Sequence, residues 1–194
     1  MSIPYVIEKG PKDQERVYDL YSRLLKDRIV FIKGLFHQDM ADAVVAQLLF
    51  LESADPDEDI RMYVNSPGGE LNSMYAIFDT MQYIKCDIVT VGMGQCASAA
   101  SFILAAGTKG KRFALPNTNI MIHELSTGAE GKANQIRNYV KHMETRYEHM
   151  AKHYVGFTGQ RLNKIKKDME IDYFMSAEEA KEYGLIDEVH ENRS

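Results

Sequence analysis

The feature that most constrains this chain is a strand–turn–helix unit that occurs twice in succession. Ile60 to Asn65 is a short apolar-rich run, Ser66-Pro67-Gly68-Gly69 breaks it with turn chemistry, and Leu71 to Tyr83 follows with helical spacing. The same order returns as a strand at Asp87 to Val91, a turn at Gly92 to Gln95 and a small-residue helix at Ser98 to Ala106. Short strands alternating with helices predict an α/β fold with a mostly parallel sheet. The two units agree in shape, but not closely enough in sequence to form an internal repeat.

The flanking segments extend the pattern. Residues 1–12 hold Pro4, Gly10 and Pro11 without periodicity, which predicts a mobile N-terminal arm. Val17, Leu20, Tyr21 and Leu24 predict a short helix over Asp13 to Lys26, Arg28 to Ile32 a strand, and Asp39 to Ala54 a largely buried helix. Phe113-Ala114 and Ile120 to Ile122 read as brief strands, the second ending at His123. After a loop at Glu124 to Gly131 comes the longest helix, Lys132 to Val155, on which Ile136, Val140, Met143, Tyr147, Met150 and Tyr154 recur at steps of four and three. Such a stripe seats a helix on its own core or against another subunit, and the spacing leaves both open. A shorter helix is expected over Gly159 to Asp168. Ser176-Ala177-Glu178-Glu179 is a capping box for a last helix, which Gly184 can end in a left-handed cap.

A chain of 194 residues suits one domain, expected over residues 1–194, and 45% hydrophobic residues supply a core for it. Lysine and arginine total 23 against 28 aspartates and glutamates, a net charge of −5, so neither nucleic acid nor an anionic membrane is expected as the main partner. Cys86 and Cys96 allow at most one disulfide, and a core of this size needs none, so a reducing compartment is the simpler reading. The start lacks the pattern of a signal peptide, and no run approaches the roughly eighteen apolar residues of a membrane span. A cytoplasmic location is therefore expected.

In an α/β sheet, functional groups gather at the carboxyl ends of the strands. The segments ending there are Asn65 to Gly69, Gly94 to Ser98, and His123. A serine oxygen needs a positioned base to become a nucleophile, and His123 with an acid elsewhere would supply one. The helix start near Ser98 and the Gly68-Gly69 pair offer backbone amides to a developing oxyanion. Ser98 lacks the glycines of the hydrolase nucleophile elbow, since Cys96 and Ala100 stand at those positions. On pattern alone Ser98 is a nucleophile or a structural helix cap. Cys96, among apolar neighbours, reads as a buried inert thiol. His142, His149 and His153 lie on the long helix without the glutamate of a zinc protease signature, and read as surface histidines. Lys109, Lys111 and Arg112, like Lys164, Lys166 and Lys167, read as solvated faces, and no phosphate-binding glycine motif is present.

Several strings together carry a specific resemblance: YSRLLKDRIVF at 21–31, VVAQLLFLE at 44–52, YVNSPGGE at 63–70, GQCASAASFILAAGTKGKRFALPN at 94–117, IMIHE at 120–124 and DYFMSAEEAKEYGLID at 172–187. Through them the chain resembles the ClpP family, the proteolytic subunit of the ATP-dependent Clp protease. The resemblance implies a ClpP/crotonase-like α/β fold with a protruding handle helix, the handle region lying at about 124–158. It implies a serine-type endopeptidase in which Ser98 is the nucleophile, His123 the general base and Asp172 the orienting acid. The backbone amides of Gly69 and Ala99 would hold the oxyanion. It further implies heptameric rings stacked as a tetradecamer, and an AAA+ unfoldase such as ClpX, ClpA or ClpC that delivers unfolded proteins. That partner would dock near Tyr63, and the mobile N-terminal arm of residues 1–15 would supply an axial gate from Ile3 to about Glu15. Neither a cofactor nor a metal is expected in this subunit, because ATP is used by the partner.

The chain departs from the family pattern in three places. Glu124-Leu125-Ser126-Thr127-Gly128 replaces the usual substrate-lining segment, Ala99 replaces a methionine, and Ile171 stands where many members have an arginine that pairs across the rings. These departures suggest a divergent paralogue, with a weakly active or structural subunit that needs a second ClpP paralogue as the alternative. A crotonase-like acyl-CoA enzyme is the remote one.

Overall fold

The computed structural model describes residues 3–9 and 14–192. Its centre is a sheet built from β3 (Ile29–Phe36), β4 (Ile60–Gly69), β5 (Ile88–Ala97), β6 (Arg112–Ala114) and β9 (Glu188–Val189), neighbours in that order and all parallel. Strand β5 is shared. Its first half pairs with β6, and its last residues pair in parallel with β7 (Asn119–Ile122), which carries the antiparallel β8 (Tyr173–Met175). The sheet is thus mixed, with one antiparallel pair beside otherwise parallel strands.

Along β4 burial alternates: Ile60, Met62, Val64, Ser66 and Gly68 are buried, while Arg61 and Asn65 are exposed. Period two is what a strand with one face on the core requires. Against the sheet pack α2 (Gln38–Ala54), α3 (Leu71–Tyr83) and α4 (Ala99–Ala105), enclosing Leu48, Ile77, Phe102 and Ile103. All seven residues of α4 are buried, the large Phe102, Ile103 and Leu104 among them.

Several expectations need correction. The helix expected over Asp13 to Lys26 is α1 (Leu20–Lys26) alone, because the Asp19 carboxylate accepts from the Tyr21 and Ser22 amides and fixes the start there. Residues ahead of it form β2 (Glu15–Asp19), antiparallel to β1 (Tyr5–Lys9), so the N-terminal arm contains a paired ribbon. Residues 1–2 and 10–13 of that arm lie outside the described residues. Ser66 to Gly69 is an irregular continuation of β4, with a register shift on both sides of the strand, in place of a separate turn. Helix α2 buries a single face, Ala41, Val44, Leu48 and Leu51, and leaves Leu49 and Phe50 exposed.

The basic cluster also divides. Lys111 remains at the surface between Asp59 and Asp87, but Arg112 is buried, paired with Asp187, and donates to Ala105 O and Phe157 O. A guanidinium with fixed partners on several elements is a clamp. Arg28 plays the same part at the other edge, donating to the carbonyls of Leu51, Asp55, Glu58 and Asp59.

The long helix α5 (Ala133–Thr158) divides its stripe. Met150 and Tyr154 enter the core, Ile136, Met143 and Tyr147 are partly covered, and Val140 is exposed. It ends at Gly159 in the left-handed region, ahead of α6 (Leu162–Asp168). The capping box at Ser176 opens α7 (Ala177–Tyr183), and Gly184 ends it with φ +95°. Both were readable in the sequence.

Candidate functional site

At the carboxyl end of β5 the backbone turns abruptly into α4, and Ser98 carries the turn with φ +56° and ψ −121°. A non-glycine residue there is strained, at a cost of about 1–3 kcal/mol. The Ser98 amide donates to Met121 O on β7, and its carbonyl accepts from Ser101 Oγ at 2.7 Å and Phe102 N at 3.2 Å. The conformation is thereby held from both sides. Ser98 is the N-cap of α4, but its side chain makes no capping bond. Its Oγ lies 2.8 Å from His123 Nε2 instead. Of the two readings left open by the sequence, the geometry disfavours the structural cap.

His123 follows β7 directly, and the pairing of β7 with β5 brings it to Ser98. Its Nδ1 is 3.3 Å from Asp172 Oδ1, at the start of β8. The β7–β8 register, Ile122 opposite Tyr173, is what sets Asp172 beside His123. The Asp172 side chain is 59% exposed, and its approach is longer than that of Ser98 to the same ring.

The two glycines at the end of β4 have separate steric roles. A Cβ on Gly68 would lie 2.7 Å from Ser98 Cβ and 2.8 Å from Ala97 O, so the absence of a side chain there admits Ser98. On Gly69, at φ +148°, a Cβ would lie 2.4 Å from Phe36 O. Gly69, Ala99, Ser98 and His123 line one cavity of about 580 Å³. The segment 124–127 forms another wall, tied to the long helix by the 2.8 Å contact between Thr127 Oγ1 and Tyr139 Oη. Glu124 is fixed by its amide, which donates to Met169 O.

Tyr63 lies apart from this cavity. It stacks on Phe31 with centroids 5.6 Å apart, and Tyr21 meets Phe31 edge-on at 5.4 Å. Cys96 is buried with its Sγ 3.2 Å from Val64 O, and burial pushes its thiol up to about 12. That matches an inert thiol. Cys86 is likewise buried and free. His142 lines the cavity, His149 is exposed, and His153 packs among Phe78, Phe102 and Phe157, where burial lowers its basicity. Among the described residues no three of His, Cys, Asp or Glu are grouped to hold a metal ion. No helix there is long and apolar enough to cross a membrane.

Two features escaped sequence reasoning. Tyr154 Oη, wholly buried and with its phenol raised by that burial, lies 3.0 Å from Ser101 Oγ and so supports the serine turn from behind. The signal was the serine three residues after Ser98 facing a stripe tyrosine. Arg146 also lines the cavity, with its guanidinium 4.6 Å from the Tyr75 ring centroid. An arginine inside the apolar stripe region of the helix was the cue.

In the comparison against family models, the Clp protease model matches residues 12–193. The chain belongs to the Clp protease family.

Proposed function

We propose that this chain is a serine endopeptidase subunit that hydrolyses unfolded polypeptides delivered by an AAA+ ATPase. The observation that carries the reading is the 2.8 Å approach of Ser98 Oγ to His123 Nε2 on a strained strand-to-helix turn. An imidazole with its proton on Nδ1 faces Asp172 with that N–H and accepts the serine O–H at Nε2. Ser98 Oγ attacks the scissile carbonyl carbon, and its proton passes to His123. The amides of Gly69 and Ala99 receive the oxyanion. As the C–N bond breaks, His123 returns the proton to the leaving amine. Water, deprotonated by His123, then releases the acyl group from Ser98.

Family membership supports the further elements: one peptidase domain over 1–194, heptameric rings stacked in pairs, docking of the ATPase near Tyr63, a gate from Ile3 to about Glu15 and a cytoplasmic location. A second reading is favoured by the exposure of Asp172, flanked by Ile171 at 72% and near Phe174 at 54%. On that reading the subunit is weakly active alone and is completed by a second copy or paralogue covering this apolar rim. Incubation with a serine-directed phosphonate, followed by mass analysis of the adduct, tests the chemistry. Modification at Ser98 that disappears in Ser98→Ala supports the proposal, and an unmodified Ser98 in the assembled protein overturns it. Native mass spectrometry reads the assembly at the same time.

A further inference from the structure

The wall of the cavity beside Ser98 holds a guanidinium that has no carboxylate within ion-pair distance among the described residues. Among the described residues the arginines that meet a carboxylate are Arg23, Arg28 and Arg112. Arg146, on the wall of the cavity, meets none. Its Nη2 donates to Asn72 Oδ1 at 3.0 Å, its planar face lies over Tyr75, and its Nε is buried without any partner. Tyr75 Oη, on the ring that Arg146 covers, is likewise buried and unpartnered. Partly buried cations are ordinarily paired, and unsatisfied buried donors are few in a folded protein. Here they are adjacent.

The other ionisable groups of the cavity do not supply the missing charge. Glu70 turns its carboxylate to Ser73, accepting from Oγ at 3.0 Å. Glu124 lies by Tyr147, where burial first and then Glu124, Glu170 and Glu148 raise the phenol. His142 and His123 add no anion. A rigid guanidinium held by an amide oxygen and an aromatic face retains terminal N–H groups in the geometry that receives a carboxylate.

We infer that Arg146, assisted by Asn72, binds an acidic side chain of the substrate, so that this site prefers peptides with a glutamate or aspartate near the scissile bond. The inference rests on the endopeptidase reading for its substrate class, and deepens it. Arg146 is a specificity residue here, with no part in the bond-breaking steps. The preference belongs to this chain's own cavity wall, since the neighbours Met74, Met143 and Met150 would otherwise make it an apolar slot.

The test uses fluorogenic peptides that differ only by glutamate or glutamine, placed in turn at each position flanking the cleaved bond. In the wild-type assembly one position should show about a tenfold higher kcat/KM for glutamate, carried mainly by KM. Arg146→Leu should bring the ratio of the two peptides to near one, and Arg146→Lys should keep part of it. The wild-type comparison is decisive even where a variant does not fold. Equal cleavage of glutamate and glutamine peptides at every position overturns the inference and leaves the endopeptidase reading intact. So does a preference that persists in Arg146→Leu. Fluorescence anisotropy with Ser98→Ala reads binding without cleavage. Glutamate-selective binding there, with no hydrolysis by the wild type, overturns the endopeptidase reading and supports the acidic subsite.

Discussion

The two strand-to-helix units of the sheet, β4 into α3 and β5 into α4, solve one geometric problem in opposite ways. At the end of β4 the chain bends through Gly68 and Gly69, with φ +99° and +148°, where an absent side chain makes the conformation cheap. At the end of β5 the bend falls on Ser98, which has a side chain and is strained. The N-caps differ in the same way. In the first unit Ser73 Oγ donates to the Glu70 carboxylate and occupies the cap side chain. In the second, Ser101 Oγ, at the same offset, donates to the Ser98 carbonyl and leaves Ser98 Oγ free for His123. A reactive side chain needs a neighbour that gives up its own: the space vacated at Gly68 is where Ser98 sits.

The substitution that most sharply breaks this comparison is Ser98→Gly, which makes the second turn like the first. It should remove peptide hydrolysis by about 10³-fold or more, as loss of a nucleophile does. It should also raise the midpoint of thermal unfolding, because glycine relieves a strain of about 1 kcal/mol at this φ. Peptide cleavage and calorimetry on one sample read both, and a lowered midpoint would show that the turn is unstrained.

Gly68→Ala imposes the reverse change. Its Cβ would press on Ser98 Cβ and Ala97 O, and moving a reacting group by about 1 Å costs on the order of 10²-fold in rate. Phosphonate labelling of Ser98 should slow in parallel while circular dichroism stays unchanged. Labelling at the wild-type rate would mean that the space at Gly68 is not what admits the serine.

This pairing shows what the sequence could and could not disclose. The strands and helices of the two units and the box at Ser176 were legible because period and caps are local signals, whereas the turns expected at Ser66 to Gly69 and Gly92 to Gln95 are continuations of β4 and β5. The meeting of Ser98 and His123 was suggested by their places at strand ends, while Asp172 was reached through family resemblance alone, since it depends on β7–β8 pairing between distant residues. The positive φ of Ser98 was hidden, because no residue preference announces a strained serine. The ribbon β1–β2 was hidden for another reason. Val17, Leu20, Tyr21 and Leu24 fit a helical step, but Asp19 caps α1 in the middle of that pattern. Burial of Arg112 was likewise illegible, because its partner Asp187 lies far along the chain.

Tyr154→Phe probes the support behind the second turn alone. The variant removes the hydroxyl that meets Ser101 Oγ in a fully buried place, at a cost of about 1 kcal/mol. Loosened Ser101 should lower kcat a few-fold with KM unchanged, whereas Ser73→Ala, at the matching place in the first unit, should leave kcat nearly as it was. Equal effects from the two would erase the distinction between the serines.

Acid should separate the units least, but in a definite order. Burial works to raise the Asp187 carboxyl, and donation from the Arg112 side chain, the Arg112 amide and the Gly110 amide outweighs it, so the group lies below its ordinary value. A carboxyl whose folded pKa is lowered adds stability in full above its unfolded pKa of about 4, and that stability is lost as pH falls through the folded value. Arg112 donates to Ala105 O, at the end of α4, so protonation of Asp187 loosens the second unit. The end of α3 has no such clamp: there Ile84 N donates to Thr80 O, and Gln82 Nε2 donates to Ala106 O. Hydrogen exchange below about pH 4 should therefore open peptides covering 99–114 before those covering 60–83, after correction for the slower intrinsic exchange in acid. Asp187→Asn should bring the same order at neutral pH. Simultaneous opening of both peptides in acid would assign the acid response to the sheet as a whole, and would remove Asp187 as the group that distinguishes the two units.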